Sequence, residues 1–193
     1  MKNISPVLLS LFFCLISCAE ADKTTYINSN DGIGWQYSEN EDKMSSKKTY
    51  FAIIQNQHQI YLAGEQCFPM LKIFNGEQGN KVVYETGIEN EAYSPVFYGD
   101  EEVSIRMRFD NEEPKKFKCN WPDGGSRNIV FINNPKKVIA KLKGAKKLLI
   151  EASFVGNETI RTNRSNKSGA RINRPRHQKE IVEFDVAGLK WDH

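Results

Sequence analysis

Residues that carry chemistry are scarce in this chain of 193 residues, which has four cysteines and three histidines. Cys14 and Cys18 fall inside an apolar N-terminal run, so only Cys67 and Cys119 remain for the rest of the chain. Neither belongs to a C-x-x-C pair and no histidine stands near either in sequence, which excludes the usual zinc and thiol-redox spacings. His58, His177 and His193 are isolated from one another, and each is read as a solvent-exposed side chain. The chain has no H-E-x-x-H, no G-x-S-x-G and no P-loop, so zinc proteases, α/β-hydrolases and P-loop nucleotidases are excluded. The acidic clusters Asp100-Glu101-Glu102 and Glu112-Glu113 read as solvated turns rather than acid/base pairs. No catalytic residue, metal or cofactor is expected. Charge of one sign is lacking too: 27 Lys and Arg face 24 Asp and Glu, leaving +3 at pH 7. That balance produces no strong field toward nucleic acid, which is not an expected partner.

What is present begins at the N-terminus. Lys2 precedes the apolar run Val7–Ile16, and small residues follow at Ser17 to Ala19. This is the layout of an export signal, too short for the roughly 20 apolar residues of a membrane-spanning helix. Leu15-Ile16-Ser17-Cys18 resembles the lipobox of bacterial lipoproteins, which implies removal of residues 1–17 and lipid attachment at Cys18. Several acyl chains there would hold the protein to a membrane at roughly 0.8 kcal/mol per buried methylene. Ala19 after the cysteine resembles the outer-membrane sorting pattern, so the expected place is the outer membrane, facing the periplasm. Ala19-Glu20-Ala21 leaves a second route open, cleavage after Ala21 to give a soluble periplasmic or secreted chain.

An oxidising envelope allows Cys67 and Cys119 to pair, and a disulfide between them is expected, contributing roughly 4 kcal/mol in the chain-entropy picture. Residues 18–32 are polar and read as a flexible tether. Residues 33–193 have the size of a single domain.

Within that domain the pattern is short strands divided by turn clusters, which predicts a mainly β fold: an antiparallel sandwich or strongly curved sheet with one short helix. Strands are expected at Trp35–Tyr37, Thr49–Ile54, Cys67–Phe74, Lys81–Tyr84, Glu101–Phe109, Lys115–Cys119 and Ile129–Ile132. Thr49–Ile54 is apolar on both faces and should be central. Pro69 suggests an edge position or a bulge. Val103, Ile105, Met107 and Phe109 alternate with Ser104, Arg106 and Arg108, which should bury one face and wet the other. Asn134 suits a helix N-cap and Pro135 the first helical position, with Val138, Ile139 and Leu142 as the buried stripe before Gly144. Lys147–Phe154 and Glu180–Val186 should pair antiparallel.

Between those last strands lies the least apolar stretch of the chain. Arg161, Arg164, Lys167, Arg171, Arg174, Arg176 and Lys179 occur there with no acid among them. Residues 157–180 are expected to form a mobile basic loop. On a tethered domain these seven residues would contact an anionic surface, each contributing roughly 1 kcal/mol and less with salt. Lys136, Lys137, Lys141, Lys143, Lys146 and Lys147 would extend the patch if the helix faces the same way. Three Asn-x-Ser/Thr sequons, at Asn157, Asn163 and Asn166, carry no meaning in a bacterial lipoprotein.

The order of features is itself informative: the Trp35 strand, a polar turn with Asp42, the strand with Ala52, Arg106-Met107-Arg108-Phe109-Asp110, Trp121-Pro122-Asp123-Gly124, a Lys-rich helix, and Phe184-Asp185-Val186-Ala187-Gly188-Leu189. It resembles the small envelope proteins of the type VI secretion accessory (TagO/VasI-like) group and related prophage lipoproteins, over most of Trp35 to Trp191. The chain departs from that group in having Cys67 ahead of Leu71-Lys72-Ile73 rather than a cysteine after it, and in the insertion following Phe154. The resemblance implies a fold and an envelope location, and no catalytic residues. The expected function is therefore a non-enzymatic envelope lipoprotein whose β domain binds an envelope protein or an anionic partner. The alternative is an inhibitor of, or enzyme acting in, cell-wall or saccharide hydrolysis, with Trp121–Arg127 as the loop inserted into a cleft.

Overall fold

A computed structural model describes residues 25–27, 34–58, 60–62, 65–87, 96–99, 103–123, 126–161 and 171–193. In chain order the elements are β1 (Thr25–Ile27), β2 (Gln36–Asp42), β3 (Lys47–Gln55), β4 (Ile60–Leu62), β5 (Glu65–Cys67), β6 (Met70–Gly76) and β7 (Gly79–Glu85). They continue with β8 (Val96–Phe97), β9 (Val103–Phe109), β10 (Lys115–Asn120), β11 (Ile129–Ile132), α1 (Pro135–Gly144), β12 (Lys147–Arg161) and β13 (Arg171–Asp185). Every pairing is antiparallel. The main sheet has eleven strands, in the order β1-β2-β3-β6-β7-β11-β10-β9-β12-β13 with β8 on β12, while β4 and β5 form a separate pair. The fold is mainly β, a strongly curled half-barrel with a single short helix, so the curved sheet is found and the sandwich is not.

Alternation decides which face is which. Ala52 and Ile54 of β3, Leu71 and Ile73 of β6, Val82 and Tyr84 of β7, and Leu148, Ile150 and Phe154 of β12 point into the curl and are at most 2% exposed. β9 supplies Val103, Ile105, Met107 and Phe109 to the same side. The core is built around rings: Tyr84 meets Phe97 at 5.4 Å and Phe184 at 6.2 Å, and Phe97 meets Phe154 at 4.9 Å between centroids. Such edge-on and tilted contacts add to the area buried.

Residues in and beside β2, β3 and β4 meet β13 and the residues after it at a seam that has no backbone ladder among the described residues. The indole N–H of Trp35 donates to the Val186 carbonyl at 2.9 Å, and the Asn56 side-chain amide donates to the Glu183 carbonyl at 2.5 Å. Gln178 donates to the Tyr61 carbonyl at 2.9 Å, and the Tyr37 hydroxyl accepts from the Lys190 amide at 2.8 Å. Residues beyond β13 then run back as a strap. Leu189 and Trp191 are buried, the Trp191 indole donates to Asn80 at 3.0 Å, and the His193 ring lies flat on Tyr50 at 3.8 Å.

Several expectations change in detail. The strand expected over Cys67–Phe74 is two strands in two sheets, because Phe68-Pro69 interrupts the ladder and the Pro69 carbonyl accepts instead from the Asn56 amide at 2.8 Å. β6 is internal, so the proline marks a break rather than an edge. Gly87 supports that break. Its φ is 63° and a Cβ on it would lie 1.8 Å from the Phe68 carbonyl oxygen, so no other residue fits. Asn134 does precede the helix, yet it contributes a left-handed backbone (φ 60°, ψ 54°) and makes no side-chain cap. Asparagine tolerates that conformation better than most residues. Val138, Ile139 and Leu142 are buried, and α1 packs on β7.

The disulfide is not there. Cys67 and Cys119 are both buried thiols, not bonded to each other. The reason lies in the strand order: Cys67 pairs with Ile60 in the small sheet, whereas Cys119 sits on β10 between Val103 and Ile132.

The larger correction concerns the basic segment. β12 and β13 pair without interruption from Lys147↔Asp185 to Arg161↔Arg171, so most of residues 157–180 are strand, not loop. Residues 162–170 lie outside the described residues. Thr25–Ile27, inside the expected tether, form β1 and pair with Tyr37, Ser38 and Glu39 of β2. Among the described residues no helix is long and apolar enough to cross a membrane.

Candidate functional site

The described residues hold no cluster of His, Cys, Asp and Glu that could bind a metal. Burial pushes the Cys119 thiol up to about 12, so it is not a nucleophile at ordinary pH. Burial also holds the Tyr84 phenol well above its ordinary value, and its hydroxyl has no hydrogen-bond partner. The three histidines are far apart in role: His58 follows Asn56 in a turn, His177 meets the edge of the Tyr98 ring at 4.6 Å, and His193 stacks on Tyr50. Trp121, at the start of the loop named in the alternative reading, packs against the core with the Arg127 guanidinium 5.5 Å from its ring centre. Beside the strap a groove of about 570 Å³ runs past Trp35, Tyr37, Glu39, Tyr50 and Trp191. Its polar atoms are largely occupied: Glu39 accepts from Lys48 at 3.1 Å, and Tyr37 bonds to the strap.

The feature that the packing does not use is the far half of the β12–β13 hairpin. β9 pairs with β12 only across Leu148–Glu151, and β8 only at Phe154 and Val155. From Gly156↔Arg176 outward no third strand among the described residues pairs with the two. Strand pairing places Arg161 opposite Arg171, Arg174 opposite Glu158 and Arg176 opposite Gly156. Lys179 lies at the base of the arm and its ammonium meets Glu151 at 2.8 Å. Arg164, Lys167 and Cys18, the expected lipid-attachment residue, fall outside the described residues.

The helix lysines do not simply extend the patch. Lys141 pairs with Glu112 at 2.5 Å, Lys143 with Asp192 at 3.1 Å and Lys147 with Glu183 at 2.7 Å. Residues that the sequence reading did not single out lie instead on the outer face of the sheet. Ile181, Glu151, Arg106 and Lys116 stand directly opposite one another across β13, β12, β9 and β10. The alternation of Ser104, Arg106 and Arg108 signalled a wet face, but nothing in the sequence said which strands would flank it.

No protein-family model matches the chain, and the comparisons with curated proteins and with solved structures also find no match.

Proposed function

We propose that this protein works by binding rather than by catalysis: an envelope lipoprotein, held at Cys18, whose hairpin arm engages an anionic partner of the envelope. The arm carries this reading. Two paired strands running past the last flanking strand bring Arg161, Arg171, Arg174 and Arg176 onto one appendage, and Lys179 onto its base. A paired β arm orders the backbone that carries these residues, so less backbone entropy is lost on contact than from a loop. The tether supports the same reading. Residues 19–24 alone separate Cys18 from β1, at most about 25 Å of extended chain, so the domain would stay close to the bilayer. Because the sheet curls, β2, the partner of β1, meets the residues following β13 at the seam. The likeness to secretion-accessory envelope proteins points to the same location.

The test is a chain with Cys18→Ser in which an Asn-Gly turn joins Gly156 to Arg176 in place of residues 157–175. The unaltered arm should sediment with a purified envelope fraction at low salt and release at high salt, and the shortened arm should not sediment. Sedimentation that is unchanged by the excision, or insensitive to salt, overturns the proposal.

A further inference from the structure

We propose that the outer face of β9, β10, β12 and β13 docks on an anionic lipid bilayer, with Ile181 and Tyr98 reaching the boundary between head groups and acyl chains. This rests on the tethered-binding reading and names its partner and its contact surface. Ile181 is 59% exposed and Tyr98 is 50% exposed, among the few large apolar side chains turned to solvent. Both belong to the base of the arm. Ile181 alternates outward with His177, Lys179 and Glu183, while Val182 and Phe184 fill the core. The Tyr98 amide bonds to the Ser153 carbonyl at 2.8 Å, and its ring leans on His177.

Lys179 and Glu183 flank Ile181 on β13 and Glu151 stands opposite it, and further cations lie across β9 and β10. Arg106 and Lys179 share Glu151, at 3.1 Å and 2.8 Å, which leaves one carboxylate for two bases. Arg108 and Lys116 form no ion pair among the described residues, and Lys118 stands on the same side of β10 as Lys116. Glu183 is occupied by Lys147 at the far edge. On this face Arg106, Arg108, Lys116, Lys118, Lys147 and Lys179 outnumber Glu151, Glu183 and Asp185, so an exposed isoleucine on the end strand and a tyrosine sit beside a net-positive patch, which is complementary to anionic head groups over acyl chains. Cations draw it to the surface, and the apolar pair adds a contact that salt does not screen. The face continues directly into the basic arm, and the short tether from Cys18 keeps it within reach of the membrane.

The probe is vesicles of phosphatidylethanolamine with phosphatidylglycerol, and of phosphatidylcholine as the uncharged control. Ile181→Cys in a chain that carries both Cys14→Ser and Cys18→Ser takes a polarity-sensitive dye selectively, because Cys67 and Cys119 are buried. Met44→Cys, 95% exposed on a distant turn, serves as the position expected to stay wet. The dye at 181 should shift to the blue with anionic vesicles and not with the control, while the dye at 44 should not respond. Ile181→Ser, which spares the core, should weaken vesicle binding about fivefold at both low and high salt. Sedimentation with vesicles but no response at 181, or an equal response at 44, overturns this docking face and leaves the arm standing. Binding to the envelope fraction but not to pure vesicles also overturns it. Crosslinked dimers through residue 181, without vesicle binding, would make the occupant a second copy and overturn it as well. No binding to either material removes this inference and the arm together.

Discussion

The near and far halves of the β12–β13 hairpin share one pairing register, and they differ in almost everything else. The near half, through Val155 and His177, has β9 and β8 as further partners, and it turns Leu148, Ile150, Phe154, Val182 and Phe184 into the ring-packed core. The far half has no third strand among the described residues, and its sequence carries Arg161, Arg171, Arg174 and Arg176. Backbone pairing alone therefore does not make a hairpin part of a core. A two-stranded ribbon is marginal by itself, and burial against other strands is what adds stability.

The sharpest way to probe this contrast is a truncation in the near half. Phe184→Ala, at a site 1% exposed and in contact with Tyr84, should destabilise by about 3–5 kcal/mol in denaturant unfolding. Next comes the seam. Trp35→Phe keeps most of the ring but leaves the Val186 carbonyl without its donor, and should cost about 1–2 kcal/mol in the same measurement. Excision of residues 157–175 should change stability by less than about 1 kcal/mol, since the core residues of the two strands, Leu148 to Phe154 and Val182 to Phe184, are kept and a connection is shortened. A loss as large as that of Phe184→Ala would erase the distinction between the halves.

The smallest effect tests the boundary between them. The hydrogen bond from Lys179 holds the Glu151 carboxyl below its ordinary value against an opposing burial effect, with Arg106 assisting. A lowered folded value means that the contribution is present above the ordinary glutamate range and is lost as pH falls through the lowered one. Glu151→Gln should therefore cost up to about 1 kcal/mol at neutral pH, with the difference from the unaltered chain closing in acid. A gap that persists in acid would place the effect in packing rather than in charge.

The legible parts of the fold are those with a local cause. Val103, Ile105, Met107 and Phe109 announce a half-buried strand because strand side chains alternate, and β9 has that burial pattern. Pro135, with Val138, Ile139 and Leu142 after it, announces the one helix, and the pairing of Lys147–Phe154 with Glu180–Val186 follows from their matched apolar positions. The misread parts depend on partners distant in sequence. Arg171–Lys179 looked like loop because it has too little apolar residue to form structure alone, yet β12 supplies a backbone partner for every one of its residues. The Cys67–Cys119 bond was inferred from compartment and count, and strand order places the two thiols in different sheets.

The sequence by itself determined the strand alternation, the helix and the residues available for the core, because each follows from the period of side chains along a few neighbouring positions. Only the tertiary structure decided that β2 and the residues after β13 are brought to one seam, that the far hairpin is an arm, and that Ile181 and Tyr98 share a face with Arg106 and Lys116. Those facts depend on the curl of an eleven-stranded sheet, which sums small twists over residues far apart in the chain.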